Sequence, residues 1–305
     1  MRSKKLARFL LPGLLLAAFG AAALMAQTGK VWTAAELFRR NVGTKEDQDT
    51  AFPPHKIIGN LYYVGTRSLG SFLFVTPQGD ILINSDYERT VPVIKASVEK
   101  LGFKFTDIKI LLGSHAHGDH MEGDPLALEL SGAQAMAMAE DIPALQTMRT
   151  PSGKARPNYK VLHDGDKVTL GGTTLVAHLT PGHTRGDTTW TANITSSNDD
   201  GGRSYDVVII GSVGVNAGTK LVNNPQVPDI ADEYQRSFRI LRGLKCDVPL
   251  GSHPAMYSLA EQYPKLGHGP NPFIDPQGYK TELDIEEAAF HAVLDEQKKA
   301  AAEGK

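Results

Sequence analysis

The chain has 305 residues, of which 41% are hydrophobic and 22% charged, and its formal net charge is −2. This length and hydrophobic content are sufficient for a large buried core, which excludes an intrinsically disordered chain. The charge is unlike the clustered basic charge of nucleic-acid-binding proteins, so we expect no nucleic acid partner. Cys246 is the only cysteine, which excludes an intrachain disulfide and a zinc site built from cysteines alone.

Residues 1–26 differ from the rest of the chain. Four basic residues precede an apolar run, residues 9–26, that is rich in leucine and alanine. This order is typical of a secretory signal peptide, with cleavage predicted near Ala26–Gln27. Residues 27–305 then form a single domain of formal charge −6, which we expect to be periplasmic or secreted and not stably associated with a membrane. The alternative is an uncleaved membrane anchor, because the apolar run is nearly long enough to span a bilayer.

The first half of the domain predicts a mixture of strands and helices. A polar segment, residues 31–52, is expected to wrap the surface. Apolar runs bounded by turn residues then predict strands, and an amphipathic run predicts a helix capped by Thr90. The strands are predicted at residues 61–64, 71–75, 81–84, 108–112 and 133–139, and the helices at residues 90–101 and 125–130.

The second half contains the same mixture. Turn sequences such as Asp164–Gly165 separate short apolar runs, which predicts hairpins. Strands are predicted at residues 160–162, 167–170, 173–179, 188–194, 207–210 and 247–250, and helices at residues 229–241 and 282–303. Two β-rich halves with outer helices predict one α/β sandwich.

Metal-ligand side chains are concentrated where three predicted strands end. The candidates are His115, His117, Asp119, His120, His183 and His253. Residues two apart in extended backbone point the same way, so His115 and His117 can share one metal ion while Asp119 and His120 face a second. Six such ligands divide into two open zinc sites of three ligands each. Paired zinc ions of this kind catalyse hydrolysis.

Three short motifs carry a resemblance to a known family. They are His-Ala-His-Gly-Asp-His at 115–120, Thr-Pro-Gly-His-Thr at 180–184 followed by Gly186, Thr188 and Trp190, and Gly-Ser-His-Pro at 251–254. Through these motifs, residues 57–257 resemble the metallo-β-lactamase-fold hydrolase superfamily, and specifically class B, subclass 3. The resemblance implies a four-layer αβ/βα sandwich.

The resemblance also implies the roles of individual residues. The ligands of the first zinc ion would be His115, His117 and His183, and those of the second would be Asp119, His120 and His253. Ser212 stands where other branches carry a cysteine or a bridging aspartate, and it would face the substrate carboxylate. The implied reaction is hydrolysis of the amide bond of penicillins, cephalosporins and carbapenems by a zinc-bound hydroxide, which Asp119 would orient as a catalytic residue.

Departures from the family pattern leave other activities open. Asn84 stands where the family often has an aspartate, and loss of that carboxylate would weaken the orientation of metal ligands. Met121–Glu122 replaces a small glycine-containing pair and would reshape the pocket beside the second zinc ion. The alternatives are a lactone, ester or thioester hydrolase of the same fold, or a non-catalytic exported zinc-binding protein. Asp187 is interpreted as a turn residue.

Overall fold

The computed structural model describes residues 31–196 and 202–304, and it contains a seven-stranded and a five-stranded β-sheet. The predicted signal peptide, and its alternative as a membrane anchor, lie outside these residues. Within the two described ranges, no helix combines the length and hydropathy that crossing a membrane requires.

The seven strands of the first sheet follow one another in chain order. They are β1 His55–Ile58, β2 Leu61–Tyr63, β3 Phe72–Phe74, β4 Asp80–Ile83, β5 Ile108–Leu112, β6 Gln134–Met138 and β7 Lys160–Leu162. Neighbours are antiparallel from β1 to β4 and parallel from β4 to β7. The carboxyl ends of β4, β5 and β6 therefore meet at one edge of the sheet.

The second sheet has the strand order β12-β11-β10-β9-β8. Its strands are β8 Lys167–Leu170, β9 Thr173–Leu179, β10 Thr188–Thr195, β11 Ser204–Ile210 and β12 Val248–Gly251. Strands β8 to β11 are antiparallel, and β11 pairs with β12 in parallel. This arrangement brings the carboxyl ends of β9, β11 and β12 to a common edge.

Helices cover the outer faces of the two sheets. The α-helices are α1 Ala34–Val42, α2 Lys45–Asp49, α3 Val91–Lys100, α4 Gly118–Met121, α5 Asp124–Ser131, α6 Ile142–Thr147, α7 Ile230–Gly243, α8 Leu259–Gln262 and α9 Pro276–Ala302. Short 3₁₀ turns lie at Glu88–Thr90, Phe105–Asp107, Ala139–Asp141, Pro254–Tyr257 and Tyr263–Lys265.

Alternating side chains along the strands produce three apolar layers. Ile81 of β4 faces a central core shared with the other sheet, whereas its neighbour Leu82 packs against α3 and α5. Ile209 of β11 likewise faces the central core, and Ile210 packs against α7 and α9. This period of two is the pattern of a sheet covered on both faces. The predicted four-layer αβ/βα sandwich is confirmed.

The N-terminal part of the domain is more regular than expected. Residues 31–52 contain α1 and α2, and each helix begins with a capping box, Thr33 with Glu36 and Thr44 with Asp47. Thr90 precedes α3, as predicted, but its hydroxyl donates to the carbonyl of Tyr87 and makes no cap hydrogen bond. The final helix also begins earlier than predicted, at the proline that opens α9.

Arg156 fastens the segment between α6 and β7 to the short helix α4. Its guanidinium donates to the carbonyl of Met121 at 2.8 Å and to the carbonyl of Glu122 at 3.2 Å. It also contacts Asp124 at 3.2 Å, where the two side chains are 6% and 1% exposed. Tyr159 completes the cluster by donating to the same carboxylate at 2.7 Å.

Replacing Arg156 with methionine should strongly destabilise the protein. The change leaves the buried carboxylate of Asp124 without its cation, and such a loss typically costs about 3–5 kcal/mol. Chemical denaturation followed by circular dichroism would measure the free energy of unfolding. Lys45→Met is the matched control, since it removes an exposed ion pair with Asp49 that is worth less than about 1 kcal/mol. Equal destabilisation by both variants would contradict a structural role for the buried pair.

Candidate metal centre

The candidate ligands lie on segments that leave the joined edges of the two sheets, and Asp119 and His120 belong to the short helix α4. The histidine-rich loop follows β5, His183 follows β9 and His253 follows β12. Contacts between the sheets hold the first loop in place. The indole of Trp190 donates to the carbonyl of Gly113 at 3.1 Å, and the N–H of Thr188 donates to the carbonyl of Ser114 at 2.8 Å.

The structure gathers all six predicted ligands into two adjacent groups. Within each group the candidate ligand atoms lie within 4.8 Å of one another. The groups are His115, His117 and His183, and Asp119, His120 and His253. This is the division that the resemblance implies, although the assignment of these side chains as zinc ligands stays a prediction.

Hydrogen bonds determine which ring nitrogen faces the centre of each group. Nδ1 of His183 lies 2.7 Å from the carbonyl of Gly214, and Nδ1 of His253 lies 2.9 Å from the carbonyl of Ser68. A carbonyl oxygen can only accept a hydrogen bond, so Nδ1 is the protonated atom in both rings and Nε2 keeps its lone pair. His117 presents the other nitrogen, because its Nδ1 lies 3.1 Å from Nε2 of His183.

The two groups fit metal ions. Nε2 of His115 and Nε2 of His120 are buried and have no hydrogen-bond partner among the described residues. Buried polar atoms normally have partners, and a cation bound by these lone pairs would supply one. Three imidazoles, or two imidazoles and a carboxylate, are donor sets that suit zinc and leave a position open for water or substrate.

Burial keeps the ligands in the protonation states that bind metal. It lowers the pKa of His120 and that of His183 to about 3, and it holds the pKa of His115 well below the ordinary value. Burial raises the pKa of Asp119, but the nearby rings, chiefly His120 and His253, outweigh burial and lower that pKa to about 2. At neutral pH these rings are therefore neutral and the carboxylate is charged.

A cleft of about 290 Å³ opens directly above the two groups. Its floor contains His117, Asp119, His183, His253 and Ser212, and one wall comes from α1. Ser212, the predicted substrate contact, thus lines the same cleft, and its hydroxyl accepts the N–H of Gly214 at 3.4 Å. The α1 wall was not expected, although the capping box at Thr33 is a local signal that could have revealed the helix.

Two further carboxylates support the centre, and neither was identified from the sequence. Asp141 accepts the N–H groups of Ala116 and Gly186, each at 2.7 Å, and the hydroxyl of Thr184 at 2.9 Å. It therefore ties the histidine-rich loop to the loop that carries His183. Asp187 is fully buried, and its Oδ2 lies 3.2 Å from Nδ1 of His115. The interpretation of Asp187 as a simple turn residue is therefore wrong.

Asn84 and Met121–Glu122, the departures from the family pattern, make contacts outside the cleft. Asn84 accepts the N–H of Ser114 and donates to the carbonyl of Gly70, each at 2.9 Å, so it braces the histidine-rich loop. Met121 is buried in a small apolar cluster, and the carboxylate of Glu122 accepts the N–H of Glu88 at 3.0 Å. Neither Met121 nor Glu122 lines the cleft.

Solved structures provide an independent comparison, whereas no protein-family model matches the chain. The FEZ-1 metallo-β-lactamase from Legionella gormanii is 48% identical, with a TM-score of 0.77, over 82% of this chain and 98% of that chain. BJP-1, a subclass B3 metallo-β-lactamase of Bradyrhizobium japonicum, is 34% identical, with a TM-score of 0.75, over 84% and 98%. LRA-12, a class B3 di-zinc metallo-β-lactamase from an Alaskan soil metagenome, is 29% identical, with a TM-score of 0.73, over 82% and 97%. Identity at this level over nearly the full length of those enzymes, with the ligand groups in place, shows that the chain belongs to the subclass B3 metallo-β-lactamases.

Proposed function

We propose that this enzyme binds two zinc ions and hydrolyses the amide bond of β-lactam antibiotics. The observation that carries the proposal is the pair of three-residue ligand groups beneath one cleft. Membership of subclass B3 supports it, since the similar solved structures are named as β-lactamases. Penicillins, cephalosporins and carbapenems are the proposed substrates.

The chain's own residues suit this reaction. When bound, paired zinc ions supply hydroxide near neutral pH and polarise the carbonyl that is attacked. Asp119 lies within 3.7 Å of both His120 and His253, and its carboxylate can accept a hydrogen bond from the attacking group and so orient it. Five imidazole ligands and one carboxylate leave a site that holds two zinc ions positive, which favours the anionic carboxylate of a β-lactam. The Ser212 hydroxyl lines the same cleft, which supports its proposed contact with that carboxylate.

We infer that the enzyme is exported. Residues 1–26 have the charge and hydropathy order of a signal peptide, and cleavage would release residues 27–305 into the periplasm or the medium. Activity in that compartment would protect a bacterium from β-lactams. Cell fractionation with N-terminal sequencing of the mature chain tests this inference, and an intact N-terminus in the membrane fraction would contradict it.

Purified enzyme should hydrolyse a carbapenem, a cephalosporin or a penicillin only while it holds zinc. Chelation should abolish turnover and zinc should restore it, as measured by the absorbance of the β-lactam ring. His183→Ala and His253→Ala should each reduce kcat/KM by more than about 100-fold, because even residues that only support a metal ligand cost 10–100-fold. His178→Ala is the control, since that ring lies outside both groups and contacts Thr191.

The outcome also separates the alternatives. Enzyme shown to hold two zinc ions but inactive on all three antibiotics would exclude the β-lactamase assignment, and the same preparation would then be tested on lactones, esters and thioesters. Bound zinc without turnover of any of these substrates would leave a non-catalytic zinc-binding protein. Activity that survives complete removal of metal would contradict the proposed mechanism.

Phe38 of α1 should contribute to substrate selection. The side chain lines the cleft and is 45% exposed, and Arg40 anchors its helix through Glu282 and Glu286 of α9. Phe38→Ala should raise KM roughly 5- to 10-fold for β-lactams with large apolar side chains. The reason is that covering half a phenylalanine contributes about 1 kcal/mol. Steady-state kinetics should show little change in kcat.

Val161→Ala provides the matched control for Phe38. Val161 is 47% exposed on β7 and does not line the cleft, so its loss should change no kinetic constant. If Phe38→Ala changed KM equally for β-lactams with large and with small side chains, the α1 wall would not select between these substrates.

A further inference from the structure

Asp187 presents a carboxylate oxygen to a candidate metal ligand. Its Oδ2 lies 3.2 Å from Nδ1 of His115, and both side chains are almost completely buried. Neither of these two atoms has a hydrogen-bond partner among the described residues, so the ring N–H and the carboxylate oxygen are left to pair with each other. With Nδ1 facing the carboxylate, Nε2 of His115 is the atom left for a metal ion.

The surroundings of Asp187 fix the position of its carboxylate. Oδ1 accepts the N–H of Ser212 at 3.1 Å and the hydroxyl of Thr180 at 2.9 Å. Gly211 leaves the necessary space, because a Cβ atom at that position would lie 2.3 Å from Oδ1. Burial raises the pKa of Asp187, and the two hydrogen bonds to Oδ1 oppose that effect. The side chain therefore occupies a built site and not a flexible turn.

Asn84 cannot present a carboxylate oxygen to His115. Asn84 carries no charge, and both ends of its amide are used by backbone groups, the N–H of Ser114 and the carbonyl of Gly70. Its side chain therefore holds the loop but offers no carboxylate to a ring N–H. Asp187 comes from the opposite sheet, directly before β10, and presents a carboxylate oxygen to that ring.

We propose that Asp187 is a positioning residue that accepts the Nδ1–H of His115 and so directs Nε2 of that ring toward the first zinc ion. The inference rests on the proposed zinc binding by His115. A carboxylate in this position fixes the tautomer and orientation of a ligating imidazole and strengthens its binding to metal. Asp187 touches neither the substrate nor the reacting atoms in this role.

Asp187→Asn should weaken one of the two zinc sites by about 10- to 100-fold. The amide oxygen would keep the hydrogen bonds from Ser212 and Thr180, which turns the amide N–H groups toward Nδ1 of His115. Two donors would then oppose each other, and the ring would favour a proton on Nε2, where the metal should bind. Competition with a chromophoric chelator measures both zinc affinities directly, without reference to turnover.

Asp80→Asn is the control for loss of a buried carboxylate. Asp80 is buried at the start of β4, and its Oδ1 accepts the N–H of Thr76 at 3.2 Å. Circular dichroism of each metal-free variant reports whether it folds. Selective loss of one zinc affinity in Asp187→Asn, with Asp80→Asn like the wild type, supports the proposal. Two wild-type affinities in folded Asp187→Asn overturn it, and a wild-type protein that binds no zinc overturns the proposed function as well.

A second variant and a wild-type measurement cover the case in which Asp187→Asn does not fold. Asp187→Ser removes the carboxylate without placing an amide N–H against the ring, and it should also weaken one zinc site. In the zinc-loaded wild-type protein with ¹⁵N-labelled histidine, the Nδ1–H proton of His115 should be shifted strongly downfield by its carboxylate acceptor. An unprotonated Nδ1, or a shift typical of a ring bonded to water, would contradict the proposal.

Discussion

Imidazole nitrogens of the two ligand groups point their lone pairs into one buried space. The rest of the structure depends on holding them there. Two of the imidazole nitrogens involved, Nε2 of His115 and Nε2 of His120, have no protein partner among the described residues. Leaving such an atom buried and unpaired costs about 1–3 kcal/mol. The fold must therefore hold the ligands together against their own preference for water. A bound cation is the group whose charge would offset that cost.

The sandwich meets this constraint by placing the ligands at strand ends. Parallel pairing brings the ends of β4, β5 and β6 together, and the pairing of β11 with β12 does the same in the second sheet. Contacts that run between the sheets, such as Trp190 with Gly113 and Asp141 with Gly186, lock the two edges to each other. Sites on rigid elements keep their geometry more closely than sites on free loops.

The sequence predicted those features that depend on neighbouring residues. Strand positions follow from short apolar runs, and the six ligands follow from motifs at the ends of those strands. The supporting residues were missed, because Asp141 and Asp187 look like ordinary turn residues until the fold brings distant partners to them. The directions of Met121 and Glu122 were missed for a similar reason. They depend on how α4 packs, and no local pattern specifies that packing.

The proposed contact of Asp187 with His115 also explains why a sequence departure at one position need not disable the centre. Asn84 lies on the same sheet as the histidine-rich loop, whereas Asp187 lies on the other sheet beside Ser212. The Nδ1 atom of that ring needs only an acceptor at the right distance, and Asp187 offers one from the second sheet. When the carboxylate comes from the second sheet, the orientation of His115 depends on how the two sheets pack. The metal centre is then a property of the whole sandwich, which a motif alone cannot specify.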